Sequence, residues 1–181
     1  MSKSTEIHAT YEPREMFAAA ERYGIARMYL ATHPALGAVI EPWVVLSALS
    51  LEIFLKCLII LDGNSYQGIH DLLGLFNRTK PDTQKELEAE YQKHLPEAQK
   101  RFDAAYLQIG QTPPSASLQR ALGDSNGAFV NVRYPYEKRM KAGGVWMATD
   151  VAEYVREIIL KRRPDWANMQ HNLLKPPAPT S

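Results

Sequence analysis

Cysteine is almost absent from this chain, with Cys57 the only one among 181 residues. One thiol excludes an internal disulfide and any zinc site built on cysteine clusters, and it fits a protein kept in a reducing cytosol. An excess of charge of one sign is missing too. Lys and Arg number 21 against 20 Asp and Glu, so no whole-molecule field draws in nucleic acid, a membrane or an acidic partner, and any such binding must belong to a local patch. There is no glycine-rich phosphate loop, no paired-His zinc signature and no nucleophile elbow. No metal and no cofactor are expected. No run alternates apolar and polar residues as a half-buried strand does, and no stretch of the chain repeats at a fixed period. The opening MSKSTEIHATYEPRE lacks the basic start, apolar stretch and small-residue cleavage site of a secretory signal. Export is not expected, and the cytoplasm is the expected location.

What remains is helical periodicity, and it predicts an all-α protein. The length suits one domain, placed here at residues 12–174, with flexible termini at 1–11 and 175–181. A first helix is expected from Glu12 to about Ala31, with Phe17, Ala20, Gly24 and Met28 on one stripe and Pro13 in its first turn. His33-Pro34 ends it. Pro42 opens a second helix, which Asp62-Gly63-Asn64 closes. A short third helix follows Gly68. The fourth begins after Lys80-Pro81, carries Leu87, Tyr91, Leu95, Ala98 and Phe102 at helical spacing, and is expected to bend at Pro96. After the loop from Gly110 to Ser117 come two shorter pieces. One holds Leu118 and Leu122, and the other is capped by Asp124-Ser125-Asn126 and runs through AFVNVRYPYEK. A last helix is expected from Thr149 or Asp150 until Pro164. Five or six helices with short connections imply an antiparallel bundle.

The segment SLEIFLKCLIILDG, residues 50–63, is apolar nearly all round. Such a helix is buried on most sides, so its Glu52 and Lys56 need partners. They stand four apart with the carboxylate first, the favoured order for pairing with each other. The run from Trp43 to Leu61 is long enough to span a bilayer, yet these two charges sit near its middle. Each would cost ~3 kcal/mol there, so a span is not expected.

Three pieces in order carry a family resemblance: SLEIFLKCLIILDG, then HDLLGLF from His70 to Phe76, then FVNVRYPYE from Phe129 to Glu137. Their order and spacing, over residues 14–163, resemble HEPN (higher eukaryotes and prokaryotes nucleotide-binding) domains. The resemblance implies a small helical bundle, a homodimer, and a role in toxin-antitoxin, phage-defence or RNA-processing systems. Many members are metal-independent ribonucleases whose signature is Arg, four to six residues, then His. Arg133 would take the Arg position, but Lys138, Arg139 and Met140 stand where the His should fall. Arg27 and His33 have the spacing but lie in the first helix, where a chance match is the better reading.

Several residues have two readings. Arg133 is suited to grip phosphate oxygens, or to pair with Glu137 one turn on. His70 is a candidate base toward a ribose hydroxyl, with Asp71 fixing its tautomer; alternatively His70 packs or caps while Asp71 favours the positive start of the third helix. Glu52 and Lys56 read as a polar pair holding Arg133 or His70. Tyr134 and Tyr136 are suited to stack on bases or to anchor a core. Lys138, Arg139 and Lys141 make the best basic patch for a phosphate backbone, or plain solvated surface. Lys161, Arg162 and Arg163 read as complements to a helix dipole.

The first expectation is a non-catalytic HEPN-like module that dimerises and binds RNA, a nucleotide or a protein partner through a groove lined by Glu52, Lys56, His70 and Arg133. The alternative is a metal-independent endoribonuclease in which Arg133 stabilises the phosphorane and His70 or Glu137 moves the proton. A purely structural adaptor is the third.

Overall fold

The apolar second helix packs against the first, third and last helices, and the last helix in turn carries the fourth and fifth. A computed structural model of the chain describes residues 12–33, 39–106, 117–126 and 145–169, without the side chains of 40, 101–106 and 145–149. Every regular element among them is helical. α1 is Pro13–Ala31, α2 Ile40–Leu61, α3 Leu72–Arg78, α4 Pro81–Tyr106, α5 Leu118–Ser125 and α6 Val145–Arg162, followed by a 3-10 turn at Pro164–Trp166.

Contacts between named residues fix how the helices run. Cys57 Sγ donates to Pro13 O at 3.2 Å and Ser50 Oγ to Ala20 O at 3.0 Å, so α1 and α2 are antiparallel. Arg156 grips Glu21 while Arg27 pairs with Glu153, so α1 and α6 are antiparallel as well. α4 opposes α6, because Glu86 meets Arg162 at one end and His94 stacks on Tyr154 at the other, with ring centroids 4.8 Å apart. α2 and α6 therefore run the same way, their C-termini joined by Asp62 and Arg162 at 2.8 Å.

The core is the surface on which these helices meet. Leu51, Leu55, Leu58 and Ile59 of α2 are fully buried with Val155, Ile158 and Ile159 of α6. Phe17 of α1 lies between Phe54 and Trp166, its ring 5.5 and 5.4 Å from theirs. α2 is also the one described helix long and apolar enough to cross a membrane, over Glu41–Leu61, and 61% of its apolar window is buried inside the bundle.

Helix ends follow local chemistry. α2 closes as a Schellman motif: Gly63 takes φ +78°, its N–H reaches Ile60 O at 2.9 Å, and Asn64 N reaches Ile59 O at 3.0 Å. Asp62, at that end, accepts from Lys80 N at 2.7 Å, Thr83 Oγ1 at 3.0 Å and Arg162 Nη1 at 2.8 Å. One buried carboxylate thus joins the end of α2, the start of α4 and the end of α6.

Three expectations need correction. Met28 does not continue the buried stripe of α1; it is 56% exposed, and Arg27 is buried instead, because that end of α1 meets Glu153 rather than an apolar surface. α6 begins at Val145 rather than at Thr149 or Asp150. Lys161, Arg162 and Arg163 do more than face a helix dipole. Arg162 holds Asp62, Thr83 and Glu86, Lys161 lies 3.8 Å from Glu86, and Arg163 pairs with Asp165 while its guanidinium covers the Trp166 ring at 4.3 Å. The expected helix through AFVNVRYPYEK and the chain beyond 169 lie outside the described residues.

Candidate functional site

Glu52 and Lys56 sit one turn apart on the face of α2 that looks toward the chain returning to α3. Lys56 Nζ donates to Glu52 Oε1 at 2.6 Å, and both side chains are about nine-tenths buried, at 12% and 9% exposure. The residues that bring a third group to them are the loop from Asp62 to Asp71. Gly63 and Gly68 both take positive φ, +78° and +74°, which lets this connection turn tightly at each end. Between them Tyr66 is buried, and the Lys56 ammonium stands 5.1 Å from its ring centroid. After the second glycine, His70 Nδ1 comes to 3.0 Å from Glu52 Oε1.

One carboxylate oxygen therefore serves an ammonium and an imidazole. An unprotonated Nδ1 would set its lone pair against that oxygen. Lys56 Nζ, at 3.4 Å from Nδ1, is the poorer donor to the ring, since its short bond goes to Glu52. The ring proton accordingly belongs on Nδ1, donated to Glu52, which leaves Nε2 for solvent. The His70 side chain is 78% exposed. A buried carboxylate that orients an exposed imidazole leaves the outer nitrogen able to accept a proton or, once protonated, to donate to an anion.

Asp71 faces elsewhere. Its Oδ2 accepts from Gly74 N at 2.8 Å as the N-cap of α3, so Glu52, and not Asp71, fixes the His70 tautomer. Adjacent residues at a helix start point apart, which is why the neighbour in sequence is not the partner in space. Asn126 at the end of α5 completes this cap. Its Oδ1 accepts from Leu72 N at 2.8 Å and Leu73 N at 3.3 Å, and its amide donates to Asp71 Oδ1. Asp124 and Ser125 form the last turn of α5, and Asn126 caps α3; the helix that these residues were expected to cap lies outside the described residues.

Sequence reasoning missed Tyr66 and Asn126. Tyr66 carried a faint signal, an aromatic residue in an otherwise polar glycine-flanked loop. Asn126 carried none, because its partner is 55 residues away. Arg133, Tyr134, Tyr136, Glu137, Lys138 and Arg139 lie outside the described residues. Arg27 pairs with Glu153 across α1 and α6, which gives its guanidinium a structural partner in place of the chance match with His33. Among the described residues no group of three or more His, Cys, Asp or Glu is placed to hold a metal ion. Comparison of the chain with protein-family models, curated proteins and solved structures returned no match.

Proposed function

We propose that this chain is a HEPN-like helical module, a homodimer without catalytic activity of its own, that holds single-stranded RNA at the surface around His70. The observation that carries this reading is the Glu52–Lys56–His70 cluster, an oriented and exposed imidazole on a buried ion pair. An exposed imidazole held by a buried carboxylate can offer a donor to a phosphate or a base edge. Arg133 stands seven residues after Asn126, and Asn126 is bonded to Asp71, the neighbour of His70. Arg133 enters this reading through the resemblance, as the residue at the Arg position of the family signature. The absence of His at positions 138, 139 and 140 favours binding over cleavage. A toxin-antitoxin or phage-defence setting in the cytoplasm follows from the resemblance.

The Glu52–His70 contact favours a second reading, a metal-independent endoribonuclease in which His70 Nε2 takes the proton of a ribose hydroxyl. Incubation of the full chain with a mixed RNA pool in chelator separates the two. Retention of RNA without cleavage, weakened in Arg133→Ala and His70→Gln, is the expected result. Cleavage lost in both variants would replace the first reading with the second. No retention and no cleavage would remove both and leave the adaptor.

A further inference from the structure

His70, Lys56 and Glu52 form a charge arrangement that changes with one proton. With neutral imidazole the Glu52 carboxylate and Lys56 ammonium cancel, and the outer nitrogen of His70 presents a lone pair because its proton is held at Nδ1 by Glu52 at 3.0 Å. A lone pair repels a phosphate oxygen. Protonation from solvent leaves the Nδ1 bond in place, adds an N–H at the exposed Nε2 and gives the cluster a net positive charge. The same atom passes from acceptor to donor, and no side chain has to move.

We propose that this cluster is a proton-operated phosphodiester site: protonated His70 grips the RNA backbone, and neutral His70 releases it. The inference rests on the RNA-binding reading above and adds its regulation. The charged and titratable groups described in contact with the cluster each have a place in it. Glu52 and Lys56 of α2 face the ring, Tyr66 of the loop lies under Lys56, and Asp71 turns away to the amides of α3 and to Asn126. Glu52 is held in place by Lys56, so it remains to anchor the ring in both protonation states. Linkage requires reciprocity: if the proton strengthens the hold on phosphate, bound phosphate strengthens the hold on the proton. Acid favours binding, while a proton-abstracting role for His70 would be favoured by base. The pH profile therefore also distinguishes a holding site from a cleaving one.

The test is fluorescence anisotropy of a labelled single-stranded RNA oligonucleotide with the full chain, in chelator at fixed ionic strength, from about pH 8 to about pH 5, the range His side chains cover. Wild type is compared with His70→Gln, a substitution at an exposed position. Wild-type affinity should rise about fivefold toward acid, the worth of one exposed charge-assisted hydrogen bond, and His70→Gln should lose most of that rise. Equal pH slopes in both proteins, with RNA bound, overturn the inference and leave the RNA reading standing. Failure to bind RNA at any pH overturns that reading. The inference is then decided by the His70 ring resonance followed against pH with and without inorganic phosphate. An upward displacement of its midpoint by phosphate supports an anion site, and an unmoved midpoint overturns it.

Discussion

Glu52 Oε1 is shared by the Lys56 ammonium and the His70 ring, whereas Lys56 has one anionic neighbour, and this asymmetry decides what each substitution costs. Glu52→Gln leaves an ammonium about nine-tenths buried without a carboxylate partner, and removing one partner of a buried pair costs ~3 kcal/mol. Lys56→Met leaves the carboxylate with the His70 ring 3.0 Å away, so a smaller loss, nearer ~1 kcal/mol, is expected. Urea unfolding of both variants reads the difference directly. Equal costs would mean that His70 does not share the carboxylate in solution. Cys57 gives a second residue-scale prediction. Burial pushes its thiol from 9.0 up to about 12, against a smaller opposing pull from Arg163. A neutral thiol is what the fold stabilises, so this contribution is complete below the ordinary thiol range and is lost as pH rises from about 9 toward 12. At pH 8 the native thiolate fraction is lower than that of an open thiol by about a thousandfold, and a thiol-specific reagent should label Cys57 at the rate of unfolding rather than of direct attack.

Among the elements, α3 depends most on borrowed hydrogen bonds. It spans seven residues, too few to be stable by propensity, and its free N–H groups are met by Asp71 and by Asn126 from α5. Asn126→Ala should therefore cost about 1.5 kcal/mol and remove hydrogen-exchange protection at Leu72 and Leu73 ahead of the α2 core. Unchanged protection there would show that the cap is not Asn126. Gly74 belongs to the same device, since a Cβ at that position would lie 2.2 Å from Asp71 Oδ2 and displace the capping carboxylate. The elements that could be read from sequence were those with long periodic faces. Pro13, the Asp62-Gly63-Asn64 close and Lys80-Pro81 marked ends that the structure places within one or two residues. The start of α6 was misplaced because Thr149 and Asp150 look like cap residues, while the structure has the helix already formed at Val145. Met28 failed for a different reason. A helical stripe predicts which residues share a face and cannot say that the face leaves the apolar core and meets Glu153.

For the whole molecule, the bundle is held by the α2 core and by charge pairs between helices that are distant in sequence: Glu21 with Arg156, Arg27 with Glu153 and Asp62 with Arg162. None of those three pairings was legible, since each joins residues at least 100 positions apart and no local spacing encodes them. The Glu52–Lys56 pair was legible because it lies within one helix turn. His70 was legible as a chemical candidate but not its partner, because Glu52 is brought to it only by the turn through Gly63 and Gly68. The central claim is that the surface around His70 is where RNA rests. Photocrosslinking the full chain to a 4-thiouridine-substituted single-stranded RNA and mapping the modified peptides tests it most directly. The account predicts crosslinks in the peptide carrying Tyr66 and His70, lost in His70→Gln at acid pH. Crosslinks confined to the outer face of α4, or unchanged by that substitution, would contradict it.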